Sequence, residues 1–322
     1  MLGLMILLSF LSGIFTGYET DDSLLVMFWN MENFFDYRDG GEGPSDKDFS
    51  SFGKRRWTKR RFNAKCDLAS KAVMWVADHY GKMPDIIGLC EVENINVLYK
   101  WLDNTLLGKN DYGIVHYDSG DRRGIDVALL YDKSRFGYVH SSVKVPYHDG
   151  EKMKTRDILE VCLDMDGSNI HFIVNHHPSK FGGAIQSGPK RQSVMKTLAL
   201  ICDSIRCIDR SACIVAMGDF NDNPDGEQFD MLEGILVNKS LGLYERGEGT
   251  IRFQGKWDLI DMFLVSPSVS IFSKMEIVKI PFLMVRDNTY TGYKPYRTYS
   301  GPRYIGGVSD HCPIVLIMKK KQ

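Results

Sequence analysis

The chain carries seven cysteines among 322 residues but has no Cys-x-x-Cys pair. An odd count without paired spacing writes neither a zinc-binding motif nor a disulfide framework. Most of these cysteines, including Cys90, Cys162 and Cys213, lie in apolar runs, where a free thiol acts as a small hydrophobe. Net charge is nearly absent too. Forty Lys and Arg against 41 Asp and Glu leave −1 at neutral pH, which excludes coating nucleic acid by bulk positive charge and leaves room only for a local basic patch. No segment repeats, and no long Pro/Gly/Ser linker divides the chain. The expectation is a single domain over residues 21–322.

No apolar run reaches the roughly 20 residues that a membrane span needs. The longest, Met1 to Phe15, contains Leu2, Met5, Ile6, Leu7, Leu8, Phe10, Leu11, Ile14 and Phe15. It reads as the apolar core of a signal peptide over residues 1–20, with Glu19-Thr20-Asp21-Asp22 at the start of the mature chain. The expected location is therefore exported, periplasmic or extracellular, with no membrane span left after leader removal. The other reading is a buried N-terminal element.

What the chain does have is an alternation of short β-branched runs with amphipathic stretches. Leu24 to Trp29 reads as a buried strand. Thr58 can cap a helix whose apolar face includes Phe62, Cys66, Ala69, Val73 and Val76, and Gly81-Lys82-Met83-Pro84 stops it. Asp85 to Cys90, Val127 to Tyr131, Ile158 to Leu163, Ile170 to Val174, Cys213 to Met217, Met262 to Val265 and Ile314 to Met318 read as further strands. Ile95 to Leu107 and about Lys190 to Cys207 read as helices. Sheets packed between helical layers follow from this pattern.

The strand ends carry the chemistry. Asn30, Glu91, Asn175-His176-His177, Gly218-Asp219-Phe220-Asn221, Asp258 to Asp261, and Ser309-Asp310-His311 each lie where a buried strand stops or starts. A single such residue is most often a turn-former. Six endings with complementary chemistry in one chain point instead to a cleft held by the sheets below. Carboxylate and amide oxygens suit magnesium, calcium or manganese rather than zinc.

The ordered set Trp29-Asn30-Met31-Glu32-Asn33, Leu89-Cys90-Glu91-Val92-Glu93-Asn94, Arg123-Gly124-Ile125-Asp126-Val127-Ala128, Asn175-His176-His177-Pro178-Ser179, Gly218-Asp219-Phe220-Asn221 and Ser309-Asp310-His311 resembles the endonuclease/exonuclease/phosphatase superfamily, from Leu24 to Met318. The resemblance implies an α/β fold of the deoxyribonuclease I type. This is a four-layer α/β sandwich, two central mostly antiparallel sheets flanked by helices. It implies a metal-dependent hydrolase acting on phosphoester bonds, with Mg2+ as the expected cofactor and Ca2+ or Mn2+ as alternatives. Glu91 resembles the main metal ligand, with Asn30 and Asp310 close enough to help, and Asn30 also on the substrate side. Asp219 and Asn221 resemble the pair that positions the attacking water and the scissile phosphate. Asp261 resembles the acid that orients His311, and His311 the group that contacts the phosphate or handles a proton. His176 resembles the second histidine of the deoxyribonuclease-like members, and Arg156 their phosphate-contacting arginine. Which group is the general base stays open.

Several positions keep two readings. Neighbours in an extended strand point to opposite faces, so only one of His176 and His177 should enter the cleft; the Asn-His pattern favours His176. Glu93 either assists the metal or precedes the next helix, and Asp126 either lines the site or closes a turn. Lys54-Arg55-Arg56-Trp57-Thr58-Lys59-Arg60-Arg61 is either a phosphate-binding lip with Trp57 as a stacking surface or a solvated loop. Tyr290 to Tyr304 mixes tyrosines with Lys294, Arg297 and Arg303, and reads either as a base-stacking loop or as one packed on itself. The leading expectation is a phosphodiesterase or nuclease acting on DNA or RNA. The alternatives are a phosphomonoesterase or phospholipase on an inositol, sugar or lipid phosphate and, last, a non-catalytic phosphate-binding module.

Overall fold

In the computed structural model, the structure describes residues 23–38, 40, 44–180 and 183–319. The apolar leader read at residues 1–20 lies outside them. Twelve strands build two six-stranded sheets. They are β1 (Leu24–Phe34), β2 (Ile86–Val92), β3 (Tyr112–His116), β4 (Asp126–Asp132), β5 (Gly137–Lys144), β6 (Ile158–Met165), β7 (Ser168–His176), β8 (Cys213–Asp219), β9 (Val237–Asn238), β10 (Asp261–Val265), β11 (Ser273–Ile277) and β12 (Ile314–Met318). The first sheet runs β11-β12-β1-β2-β4-β3 and the second β9-β10-β8-β7-β6-β5. Each is antiparallel except for one central parallel pair, β1 with β2 and β7 with β8. A parallel pair needs a long crossover. Helix α1 (Lys59–Tyr80) supplies it in the first sheet, and helix α3 (Ala184–Ile208) in the second.

Period-two alternation sorts the side chains into three apolar layers. Leu24, Val26 and Phe28 of β1 meet Val215 and Met217 of β8 between the sheets. Leu25, Met27 and Trp29 face α1 and the shorter helix α2 (Ile95–Asp103). Ile214 and Ala216 face Val194 and Leu198 of α3. The result is the four-layer α/β sandwich that the resemblance implies. Among the described residues no helix is long and apolar enough to cross a membrane.

Local signals set the helix ends. Thr58 caps α1 by accepting the Arg61 N–H, and Gly81 ends it with φ 76°, a left-handed turn that glycine adopts without a Cβ penalty. The helix expected from Ile95 to Leu107 stops at Asp103, and a separate 3-10 turn spans Leu106–Lys109.

Strand direction explains where the polar residues gather. β1, β2, β7 and β8 all run toward one rim. β10 and β12, antiparallel to β8 and β1, start from it. At that rim Gly218 lies so close to β7 that a Cβ would sit 2.4 Å from the Asn175 carbonyl oxygen. Gly218→Ala should therefore push β7 and β8 apart, costing about 1–3 kcal/mol of stability. Because Asp219 pairs in register with His176, hydrolytic activity should fall with it. Denaturant unfolding and a phosphoesterase assay on the same preparation check this; unchanged stability would place the tight contact elsewhere.

Candidate active site

The rim encloses a cleft of about 990 Å³ whose wall includes Glu32, Glu91, Arg123, Arg156, His176, Asp219, Asn221, Arg297, Asp310 and His311. In the second sheet, His176, Asp219 and Asp261 are direct cross-strand neighbours. Each continues the strand face that points at the other sheet, so the three side chains line up in one row. Across the gap, Asn30 continues the inward face of β1, and its Nδ2 donates to Asp219 Oδ2 at 3.1 Å.

Glu91 reaches the cleft by a different route. Simple alternation would send it toward the helical side with Ile87 and Leu89. Instead the register slips, with Cys90 opposite Val127 and Val92 opposite Asp126, leaving Glu91 as an extra residue. Such a bulge re-aims a side chain. Glu91 has φ 60°, and Glu32 (44°), Asn33 (53°) and Asn221 (50°) share the left-handed region. Non-glycine residues there carry strain of about 1 kcal/mol or more each.

Each acid has its own support. Glu91 Oε2 accepts from the Asn33 N–H at 2.7 Å, and Arg123 reaches its two oxygens at 3.4 and 3.2 Å. Burial alone would raise the Glu91 pKa, but Arg123, the Asn33 amide and His311 hold it below its ordinary value. Asp310 accepts from Arg297 Nη2 at 2.8 Å. Glu32 accepts from Arg297 and from the Thr298 N–H. Asp261 Oδ2 lies 2.8 Å from His311 Nδ1. Burial disfavours a charged imidazole, yet Asp261 and then Asp219 and Asp310 overcome it and push the His311 pKa well above 6.5. Asp219 accepts from amides, the Asn30 side chain and the Asn221 N–H. Burial, followed by the Asp261 charge, raises its pKa to about 7. His176 is pushed well below 6.5, first by burial and then by Arg156 and Arg123. It is neutral, with Nε2 at 3.7 Å from Asp219 Oδ2 and 4.0 Å from Glu91 Oε1.

The residues fit a divalent cation by their chemistry. Glu91 and Asp310 offer hard oxygen donors at one cleft, and Asn30 lies buried just behind it, its Oδ1 accepting from the Glu32 N–H at 2.9 Å. Nearby Asp219 is raised by burial and then by the neighbouring Asp261 charge, more than His311 offsets, so added positive charge would be favourable there.

Other expectations meet the geometry unevenly. His176 lines the cleft, whereas His177 is fully buried on the opposite face against Phe220, 4.9 Å between ring centres. Arg156 lines the cleft, but one guanidinium nitrogen is held by Asp121 at 3.1 Å and another by the His177 carbonyl at 2.7 Å. Asn221 Nδ2 donates to the same carbonyl at 3.0 Å. Glu93 accepts from the Asp36 N–H just ahead of Asn94, the cap of α2. Asp126 accepts from the Ser119 N–H and closes a turn. The stacking surface expected at Trp57 is corrected: its ring is fully buried and its Nε1 donates to the Phe35 carbonyl. Lys54 to Arg61 do not line the cleft. Arg55 and Arg61 lie over the rings of Tyr299 and Tyr304, so the two basic-aromatic segments pack on each other.

Sequence reasoning assigned no role to Glu32, Asn33, Arg123 or Lys65, and read Arg297 only as part of the basic-aromatic segment rather than as the partner of Asp310 and Glu32. Lys65 is fully buried, and its Nζ donates to the Glu32 carbonyl at 2.6 Å and to Thr298 Oγ1 at 3.0 Å. The available signal was a lysine on the apolar face of α1, between Phe62 and Cys66.

The fold is a four-layer sandwich with an acid-lined cleft at the meeting rim of its two sheets. The chain belongs to the Endonuclease/Exonuclease/phosphatase family, whose model matches residues 25–320; members are metal-dependent phosphoester hydrolases. Similar solved structures include a family protein from Bacteroides thetaiotaomicron, with 16% identity, TM-score 0.58, and coverage of 93% of this chain and 99% of that one. D. rerio TDP2 complexed with single strand DNA product is 14% identical, with TM-score 0.55 and coverage of 93% and 100%. A mannosyl-6-phosphatase from Bacteroides thetaiotaomicron is 14% identical, with TM-score 0.57 and coverage of 92% and 100%. A search of curated proteins gives no match.

The buried His177 ring generates a stability prediction. Among the described residues its two ring nitrogens have no hydrogen-bond partner, and burial, then Arg156 and Arg191, push its pKa down to about 3. An unfolded chain, with histidine near 6.5, takes up the proton first as pH falls. The stabilisation is therefore complete above 6.5 and is lost toward 3, at about 1.4 kcal/mol per pH unit. Between pH 6.5 and 5, His177→Gln should lose about 2 kcal/mol less stability than the parent. Denaturant melts at both pH values check this, and equal losses would sink it.

Proposed function

We propose that this chain is a divalent-cation-dependent phosphodiesterase acting on nucleic-acid strands. The observation that carries this reading is the surface on either side of the acid row. Arg122, Lys152, Lys154 and Lys190 are exposed along one wall of the cleft, more positive charge than one phosphate requires. On the other side Ile251 lines the cleft and pairs with His311. Two residues on, along the same strand face, Phe253 is 65% exposed, and Tyr293 nearby is 61% exposed. Arg252 ties the two segments together by donating to the Tyr293 carbonyl. A basic wall, with exposed aromatic rings beyond the cleft lining on the Ile251 strand and the segment tied to it, suits a strand with phosphates and bases. The fold itself also carries a mannosyl-6-phosphatase and does not choose between diester and monoester.

In this reading Glu91, Asn30 and Asp310 hold the cation, most simply Mg2+, which supplies Lewis acidity toward the phosphate oxygens. Asp219 and Asn221 hold the attacking water and the scissile phosphate. His311, kept charged and in one orientation by Asp261, donates to a non-bridging oxygen or to the departing oxygen. His176, neutral, donates a hydrogen bond beside it. Arg156 supports this wall through the His177 carbonyl. Arg123, forked onto Glu91, can turn to a phosphate oxygen when that carboxylate is neutralised otherwise. We also read residues 1–20 as placing this activity outside the cytoplasm; recovery of the full-length chain only in the cytoplasmic fraction would remove that part.

The purified full chain should cleave single-stranded DNA or RNA with Mg2+, Mn2+ or Ca2+, and chelator should abolish this. Asp261→Asn and Asp219→Ala should each lower kcat by about 100-fold or more. Lys152→Ala with Lys190→Ala should raise KM with kcat unchanged, most visibly at low salt. Faster turnover of mannose or inositol phosphates, or of phospholipid vesicles, with intact oligonucleotide would replace the nucleic-acid reading by the monoesterase or phospholipase one. Unchanged turnover in both acid variants would displace the site.

A further inference from the structure

A second cluster of ligating side chains lies on the second sheet, away from the cleft. His140 of β5 pairs directly with Cys162 of β6, and Cys162 with His171 of β7. The three therefore form one row across three adjacent antiparallel strands, where neighbouring side chains sit about 5 Å apart. A bulge creates the row. Tyr138 is opposite Leu163 and His140 is opposite Cys162, leaving Val139 as an extra residue. In unbroken register Val139 would face Cys162, and His140 would turn to the other side of the sheet.

The atoms converge as well as the strands. One ligating atom from each residue lies within 4.8 Å of those of the other two, and Cys162 Sγ is 3.9 Å from His171 Nε2. Glu160, 4% exposed, places Oε1 at 2.9 Å from His171 Nδ1. Its other oxygen is 3.5 Å from His140 Nε2. A carboxylate on Nδ1 keeps the proton there and leaves the Nε2 lone pair toward the thiol, the outer arrangement that metal-binding histidines use. Cys162 is 1% exposed, while the His140 side chain is 55% exposed and opens the row to solvent.

We propose that His140, Cys162 and His171 bind one Zn2+, with Glu160 orienting His171 from outside the coordination shell. Two imidazoles and a thiolate select a borderline-soft cation, unlike the oxygen donors of the cleft. Bond lengths of about 2.0–2.3 Å from zinc to nitrogen and sulfur put tetrahedral ligand atoms roughly 3.5 Å apart, so the observed pair needs to close by only a few tenths of an ångström. Burial and the nearby Glu160 and Asp164 raise the Cys162 thiol to about 11. Binding therefore forms the zinc–sulfur bond as the thiol proton leaves to solvent. The ion would clip edge strand β5 and β6 to β7, the strand whose far end carries His176.

Co2+ titration of the chelator-stripped full chain tests this. One equivalent should give a thiolate-to-cobalt charge-transfer band that Zn2+ displaces. Cys162→Ser should abolish the band, and His140→Ala, at an exposed edge position, should weaken binding more than tenfold. Asp219→Ala should retain the band, and Mg2+-dependent hydrolysis by Cys162→Ser should match the parent. No band, a band unaltered in both row variants, or a band lost with Asp219→Ala would overturn the site.

Discussion

Crowding of like charge is the constraint on which the rest depends. Glu32, Glu91, Asp219, Asp261 and Asp310 all meet where the two sheets converge, each with most of its surface out of water except the more open Asp310. Unpaired, such acids would neutralise themselves by taking up protons. The fold answers with fixed counter-charges drawn from remote parts of the chain: Arg123 on Glu91, Arg297 on Asp310 and Glu32, His311 on Asp261, and the buried Lys65 behind Glu32. Two acids still stand above the ordinary carboxylate range: Glu32, raised to about 8 by burial and then Asp310 despite Lys65 and Arg297, and Asp219, raised to about 7 by burial and then Asp261. A scaffold that leaves two buried acids short of charge beside hard oxygen donors suits an added dication.

The two sheets contribute in different ways. The second delivers His176, Asp219 and Asp261 by plain register, three neighbours on one face. The first delivers Asn30 by register but Glu91 only through a bulge. Short ties lock the sheets together at this level: Asn30 Nδ2 to Asp219 Oδ2 at 3.1 Å and His311 Nδ1 to Asp261 Oδ2 at 2.8 Å, while Trp29 Nε1 to the His311 carbonyl and Ser309 Oγ to the Asn30 carbonyl fix the His311 segment beside β1. The acid row and the imidazole opposite it are thereby held by backbone rather than by mobile loops.

Much of this was legible in the sequence, because buried strands and their polar endings are local patterns. The strand from Leu24, the Thr58 cap and the Gly81 stop follow from spacing and turn chemistry; alternation says that only one of His176 and His177 faces inward, and the Asn-His pattern picks His176. What the sequence hid are contacts between distant segments. Lys54 to Arg61 reads as a lip only until Tyr299 and Tyr304 are seen packed on it, and Trp57 reads as a platform until the core closes over it. The Arg123 and Arg297 partnerships are likewise long-range, and nothing in their neighbours foretells them. The Glu91 bulge is hidden for another reason: alternation alone sends that side chain to the wrong face.

The left-handed residues Glu32, Asn33, Glu91 and Asn221 have a consequence for kinship. Glycine would relax each of these backbones while deleting the side chain, so a descendant freed from catalysis should gain stability by drifting to glycine there. Among related chains, a non-glycine residue kept at these costly angles is then a mark of retained turnover, readable without an assay.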